Sequence, residues 1–113
     1  KVLLWLQKEA RTDFAKRLAI LAAKLGEATP ALFLSNARTR WGSCNSRREI
    51  RLNWRLIQAH PALINYVIAH ELAHLREMNH SARFWAVVAS IYPDYRQAEQ
   101  LLKSCSQQLY RLG

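Results

Sequence analysis

Two histidines four residues apart, His70 and His74, enclose Glu71 in the run His70-Glu71-Leu72-Ala73-His74, and a third, His80, follows. Residues four apart on a helix share one face, so His70 and His74 can aim two imidazole nitrogens at one metal ion. Glu71 lies about 100° round the helix from His70, which puts its carboxylate beside such an ion and not on it. This arrangement suits zinc-dependent hydrolysis: histidine ligands hold the ion and the glutamate is the general base for a metal-activated water. Catalytic zinc keeps three protein ligands and an open fourth position, and His80 is the candidate third ligand. A helix running straight on would carry His80 about 240° away from His74. The chain must therefore turn near Met78-Asn79, with Asn79 as the candidate left-handed stop. A lone histidine on a buried face is ordinarily a hydrogen-bonded core residue. Two of them four apart, with Glu71 between and His80 following, favour the metal. His60 reads as a solvated or capping residue.

The elements that must position these groups can be read from periodicity. Pro61 suits the first turn of the metal-binding helix. Leu63, Val67, His70 and His74 form one stripe, and Ile64, Ile68, Leu72 and Leu75 a second, so that helix should be buried. Leu3, Leu6, Ala10, Phe14, Leu18, Leu21 and Leu25 recur at helical steps, which predicts one long core-forming helix with a candidate break at Thr12-Asp13. Gly26 is a natural stop and Pro30 prevents resumption. The segment 31–40 reads as extended, 42–46 as turn chemistry, and Ile50, Leu52 and Trp54 alternate with polar residues up to Arg55, as in a half-buried strand. The expectation is an antiparallel hairpin of these two strands packed on the helices, because a hairpin alone is marginal. Ser81 is the candidate cap of the next helix, with Phe84, Val88 and Ile91 as its apolar stripe. A last helix carries Ala98, Leu102, Cys105 and Leu109, with Cys105 as a core filler.

Composition bounds the rest. The 113 residues suffice for one domain with a modest core, and hydrophobic content of 50% argues against disorder. The chain begins with Lys1, and residues 1–113 read as a single domain, the C-terminal fragment of a longer chain. No apolar run is long enough to span a bilayer. Cys44 and Cys105 make no disulfide framework and read as free thiols in a reducing compartment, hence a cytoplasmic location. The net charge of +9 suggests an anionic partner, nucleic acid or nucleotide. Arg38, Arg40, Arg47, Arg48, Arg51 and Arg55 stand against one acid, Glu49, with Trp41 and Trp54 interleaved. Arginine with aromatics can bind single-stranded nucleic acid or a nucleotide, whereas the plain alternative is a solvated strand face with inward tryptophans. Arg38, Arg40, Trp41 and Asn53 are the candidate substrate contacts.

Several motifs occur in a fixed order: Arg40-Trp41-Gly42-Ser43-Cys44, Ile50-Arg51-Leu52-Asn53-Trp54-Arg55-Leu56, His70-Glu71-Leu72-Ala73-His74-Leu75, Asn79-His80-Ser81 with Phe84-Trp85, and Pro93-Asp94-Tyr95. Over about residues 30–95 the chain resembles the YgjP-like metallopeptidase family of metal-dependent hydrolases, which is related to the SprT-like and WLM zincins. One departure is Asn65, where the family often has Asp. The resemblance implies an α+β, minimal zincin-like fold, with a small antiparallel sheet beside the active-site helix. It also implies zinc (Zn2+) on His70, His74 and His80, with Glu71 as base, but it does not settle the substrate; the expected substrate is a peptide or protein. Arg38, Arg40, Tyr66 or Tyr95 could supply a second donor to the developing oxyanion. An edge strand in the 38–55 segment could hold an extended peptide. Two other readings stand beside the zinc peptidase. One is a metal-dependent nucleotide phosphohydrolase that uses the arginines but has no phosphate-cradling glycine-rich loop. The other is a basic nucleic-acid-associated module with a structural metal, although structural zinc is usually closed by four protein ligands.

Overall fold

The computed structural model describes residues 2–110, with side chains for 2–105. Helix α1 (Val2–Leu25) buries Ala10, Phe14, Leu18, Leu21, Ala22 and Leu25, the predicted stripe without its first turn. The break expected at Thr12-Asp13 does not occur. Thr12 Oγ1 donates back to Lys8 O (3.2 Å) and Asp13 pairs with Arg17 (2.8 Å), so both side chains are used within the helix. Gly26, with φ +79°, ends α1 as a Schellman stop: Glu27 N–H donates to Ala22 O and Gly26 N–H to Ala23 O, each at 3.0 Å.

The sheet is mixed and three-stranded, in the order β1-β3-β2. Strand β1 (Ala31–Ser35) runs parallel to the central β3 (Glu49–Asn53), and β2 (Gly42–Cys44) runs antiparallel to it. The α+β class is as expected, but the pairing differs. The hairpin joins β2 to β3, and the Gly42-Ser43-Cys44 stretch read as turn is itself a strand. The turn is Asn45–Arg48: Asn45 Oδ1 accepts from the N–H groups of Arg47 and Glu49, and Arg48 adopts φ 61°. Turn-type composition hid β2, because its pairing depends on backbone groups of β3 and not on its own side chains. Ile50 and Leu52 are fully buried, in line with the alternating pattern. The alternation stops at Asn53, and Trp54–Gln58 form a 3-10 helix, so Arg55 is not a strand residue.

Helix α2 (Pro61–Ala73) has His60 as N-cap, its Nδ1 accepting from Ala62 N–H at 3.0 Å, so the capping reading of His60 holds. The helix ends at the second histidine, earlier than expected. His74, Leu75 and Arg76 N–H groups donate to Glu71, Leu72 and Ala73 carbonyls in a closing turn. Asn79 is not left-handed; among the described residues only Gly26 and Arg48 have positive φ. Helix α3 (Ala82–Ile91) is capped by Ser81, whose Oγ accepts from Phe84 N–H, and buries Phe84, Val88 and Ile91. Helix α4 (Tyr95–Tyr110) buries Ala98, while Leu102 and Cys105 pack partly against the core. The expected core role of Leu109 lies outside the described side chains. The core thus has α2 at its centre, with α1 and β3 on it and α3 and α4 flanking, and the second half of α2 carries the histidines.

Candidate metal centre

His70 and Glu71 come from the last turn of α2, His74 caps it, and the seven-residue return to α3 carries His80. One ligand atom from each of the three histidines lies within 4.8 Å of the other two. Their ring centroids are 5.3 Å (His70–His74), 5.0 Å (His70–His80) and 5.0 Å (His74–His80) apart. Tetrahedral zinc with bonds of about 2.0–2.1 Å needs nitrogens roughly 3.4 Å apart, so small side-chain rotations suffice. The tautomers also fit. His74 Nδ1 lies 3.1 Å from Glu77 O, a bond that places the proton on Nδ1 and leaves Nε2 to ligate. His70 Nδ1 lies 3.2 Å from Glu71 Oε2, with the same consequence. Phe84, fully buried, packs under all three rings at centroid distances of 5.0, 4.6 and 4.8 Å. Desolvation of its ring, then the neighbouring His70 and His74, holds the imidazole of the exposed His80 below its ordinary pKa, which favours the neutral form.

Glu71 is buried, 5% exposed. Its side chain passes Gly42 so closely that a Cβ there would lie 3.0 Å from Glu71 Cγ, 3.1 Å from Val67 Cγ1 and 3.2 Å from Arg51 O. Strand β2 therefore abuts α2 at the Glu71 side chain. A cleft of about 220 Å3 opens there, lined by Trp41, Gly42, Tyr66, His70, Glu71 and Leu102, among others. Burial and the facing Glu71 charge raise the Cys44 thiol pKa, which keeps it an inert neutral group on β2.

The other sequence candidates separate. Trp41 lines the cleft. Asn53 does not: it is fully buried, its Nδ2 donates to Ala37 O (2.7 Å) and Arg40 O (3.3 Å), and its Oδ1 accepts from Arg55 N–H (3.0 Å). Asn53 thus shapes the loop before β2, and its assignment as a substrate contact is corrected. Arg38 and Arg40 are exposed on that loop. The arginine-rich stretch is not one basic face. Arg55 is fully buried, with its guanidinium 4.7 Å from the Trp54 ring centre; Arg48 pairs with Glu27, and Arg51 with Glu49. Of the two tyrosines considered as oxyanion donors, Tyr66 lines the cleft, whereas Tyr95 stacks on Trp85 at 5.3 Å. The Tyr66 hydroxyl, pushed up by burial and by its hydrogen bond to Glu99, stays protonated. Asn65 is turned towards α1, its Oδ1 accepting from Arg17 at 3.3 Å, and so ties two helices together. Sequence reasoning missed the roles of Gly42, Phe84 and the Glu77 carbonyl. Phe84 had a signal in its spacing from His80, whereas a backbone carbonyl has none.

A family model described as YgjP-like, metallopeptidase domain, matches residues 1–105. Among curated proteins, the UTP pyrophosphatase of Escherichia coli (strain K12) is 30% identical over 63 residues, 56% of this chain and 38% of that protein. Among solved structures, the metallopeptidase zymogen of Pyrococcus abyssi abylysin superposes with a TM-score of 0.72 at 21% identity, covering 85% of this chain and 94% of that one. The zymogen of Methanocaldococcus jannaschii jannalysin gives 0.69 at 18% identity, covering 84% and 96%. At these identities the two structures share the fold with this chain.

Proposed function

The chain belongs to the YgjP-like metallopeptidase-domain family, and from that premise we propose that it is a zinc peptidase with His70, His74 and His80 as ligands and Glu71 as general base. The observation that carries this reading is the convergence of three histidine ligand atoms within 4.8 Å, one residue from a buried carboxylate at the end of a cleft. When bound, zinc supplies Lewis acidity, which acidifies water and polarises a carbonyl. Glu71 then has two tasks: its carboxylate takes a proton from the attacking water and returns it to the leaving amine nitrogen. Packing against Gly42 and Val67 holds that carboxylate in place, and the Glu77 carbonyl holds the His74 ring. Because β2 is an edge strand, its outer side can pair with an extended peptide laid along the cleft, with Trp41 as one wall.

A nucleotide phosphohydrolase is the second reading, favoured by the likeness to a UTP pyrophosphatase and by exposed Arg38 and Arg40 beside Trp41. A structural metal in a basic module is disfavoured, because the described residues of the cluster provide three ligands and not four. Among the described residues no helix is long and apolar enough to cross a membrane. Free Cys44 and Cys105 suit the cytoplasm, which is part of the proposal.

The zinc-loaded chain should cleave a peptide mixture, followed by mass spectrometry, and Glu71→Gln should keep its zinc while losing about 100- to 10,000-fold in kcat. Full activity in Glu71→Gln would remove Glu71 as the base. Nucleoside triphosphate turnover abolished by Arg38→Ala with Arg40→Ala, without peptide cleavage by wild type, would establish the second reading instead.

A further inference from the structure

His80 reaches the metal centre on the short return between α2 and α3, and most of that return lies in solvent: Met78, Asn79, His80 and Ser81 are all exposed. Its fixed start is the closing turn of α2, where the Arg76 and Glu77 N–H groups both donate to Ala73 O at 3.0 Å. From that turn the Arg76 side chain crosses to the far end of α1. Its Nη2 donates to Leu25 O at 2.6 Å and its Nε to Glu27 Oε2 at 3.2 Å. The glycine stop prepares this landing place. A helix end leaves its last carbonyls without intrahelical partners, and Arg76 takes that of Leu25, where a cation also suits the negative end of the helix dipole. The guanidinium lies over Gly26, with Nη2 3.8 Å from the position a Cβ would occupy there. Glu27 is held in turn by Arg48 of the β2–β3 turn, at 3.2 Å. The end of α1, the sheet turn and the start of the His80 return thus meet at one carboxylate.

We propose that Arg76 is a positioning residue of the metal centre: by clamping the return to the end of α1, it keeps the Glu77 carbonyl on His74 and delivers His80 to the other two histidines. The inference rests on the metal-centre part of the proposed function. Arg76 acts through the backbone and not on the ion. Glu77, the next residue, is the one whose carbonyl lies 3.1 Å from His74 Nδ1, and His80 follows three residues later. A shift of the turn at Arg76 therefore moves both the group that orients one ligand and the chain that carries another. Arg76 is 45% exposed, and an ion pair that open adds little to global stability. Its effect is local. A contact can bias the return by no more than its own free energy, and one charge-assisted hydrogen bond limits that to about 10- to 100-fold in metal affinity.

The test is zinc affinity of the full chain, by competition with a chelator, beside thermal melting of the metal-free form, for wild type, Arg76→Ala, Arg76→Lys, Glu27→Gln and Arg17→Ala. Arg17 also ties α1 to α2, through Asp13 and Asn65, but in the first half of α2. It therefore reports what the loss of a structural tie does alone. Arg76→Ala should bind zinc about 10- to 100-fold more weakly. Arg76→Lys, whose ammonium lacks the fork that reaches both acceptors, should fall between it and wild type. Glu27→Gln keeps the bond to Leu25 O and should lose about 2- to 5-fold. Arg17→Ala should melt at lower temperature yet keep the wild-type zinc affinity. Wild-type affinity in Arg76→Ala, or an equal loss in Arg17→Ala, would overturn the assignment. If Arg76→Ala does not fold, Arg76→Lys and Glu27→Gln decide, and wild-type affinity in both would overturn it. Wild type that binds no zinc would remove the metal centre and this inference with it, whereas zinc bound equally by wild type and Arg76→Ala would remove only the clamp.

Discussion

Gly42→Ala should slow the reaction without touching the metal. The added methyl group would stand 3.0 Å from Glu71 Cγ, 3.1 Å from Val67 Cγ1 and 3.2 Å from Arg51 O. Contacts of this kind are relieved only when β2 moves outward or the Glu71 and Val67 side chains give way. Overpacking of this size costs about 1–3 kcal/mol. Loss of glycine's freedom in the unfolded chain offsets about 0.4–1 kcal/mol, so the net loss is about 1–2 kcal/mol. In a domain of this size that lowers Tm by about 4–8 °C. The catalytic effect has a separate origin. Glu71 must give way by a few tenths of an ångström, and since a 1 Å misplacement can cost about 100-fold, kcat should fall roughly 3- to 10-fold. Steady-state kinetics on one peptide, elemental zinc analysis and thermal melting of the same samples check this together. The expected pattern is lower kcat, nearly unchanged KM and full zinc. Wild-type kcat and Tm would refute the claim that Gly42 sets the Glu71 carboxylate, and loss of zinc would show that the perturbation travels to the histidines instead.

His80→Ala should lose zinc or bind it far more weakly, while His60→Ala should keep it, since His60 caps α2 away from the cluster; elemental analysis after dialysis distinguishes them. Asn53→Ala leaves the Ala37 and Arg40 carbonyls and the Arg55 N–H without their partner. It should lower stability in urea by about 1–3 kcal/mol per group stranded, and a raised KM at unchanged stability would restore Asn53 as a substrate contact. Hydrogen bonds from Arg76 and then Arg48 hold the Glu27 carboxyl below its ordinary value of 4.5. Its stabilisation is therefore complete above about pH 4.5 and disappears as pH falls through the lowered value. Melting curves of wild type and Glu27→Gln should differ above pH 5 and converge in acid, and a constant difference down to pH 3 would refute the linkage.

The elements with strong periodic signals were legible. The long α1 stripe, the Gly26 stop, the alternation of Ile50 and Leu52 and the His60-Pro61 start each report a local preference of the chain. Strand β2 was not legible, because Gly-Ser-Cys has turn chemistry and is extended only where β3 offers it a ladder. The early end of α2 was equally hidden. His74 caps the helix through a turn closed by backbone hydrogen bonds, and Asn79, the residue chosen for the stop, has an ordinary conformation. The basic stretch misled for the same reason: charge on paper does not say which guanidinium will stack on Trp54 inside the protein and which will stay in water.

The sequence by itself determined the kind of chemistry open to this chain. The spacing of His70, Glu71 and His74 on one helix places two imidazoles and a carboxylate by the 3.6-residue repeat alone, and the ordered motifs around them point to one family. Tertiary structure alone decided the surroundings of that chemistry. It brought His80 back against the helix over the Phe84 ring. It set the backbone of β2 against Glu71, turned Asn53 inward, and left a cleft beside Glu71. Periodicity is a property of neighbours along the chain, whereas a cleft is made by residues as far apart as Trp41, His70 and Leu102, which only packing brings together.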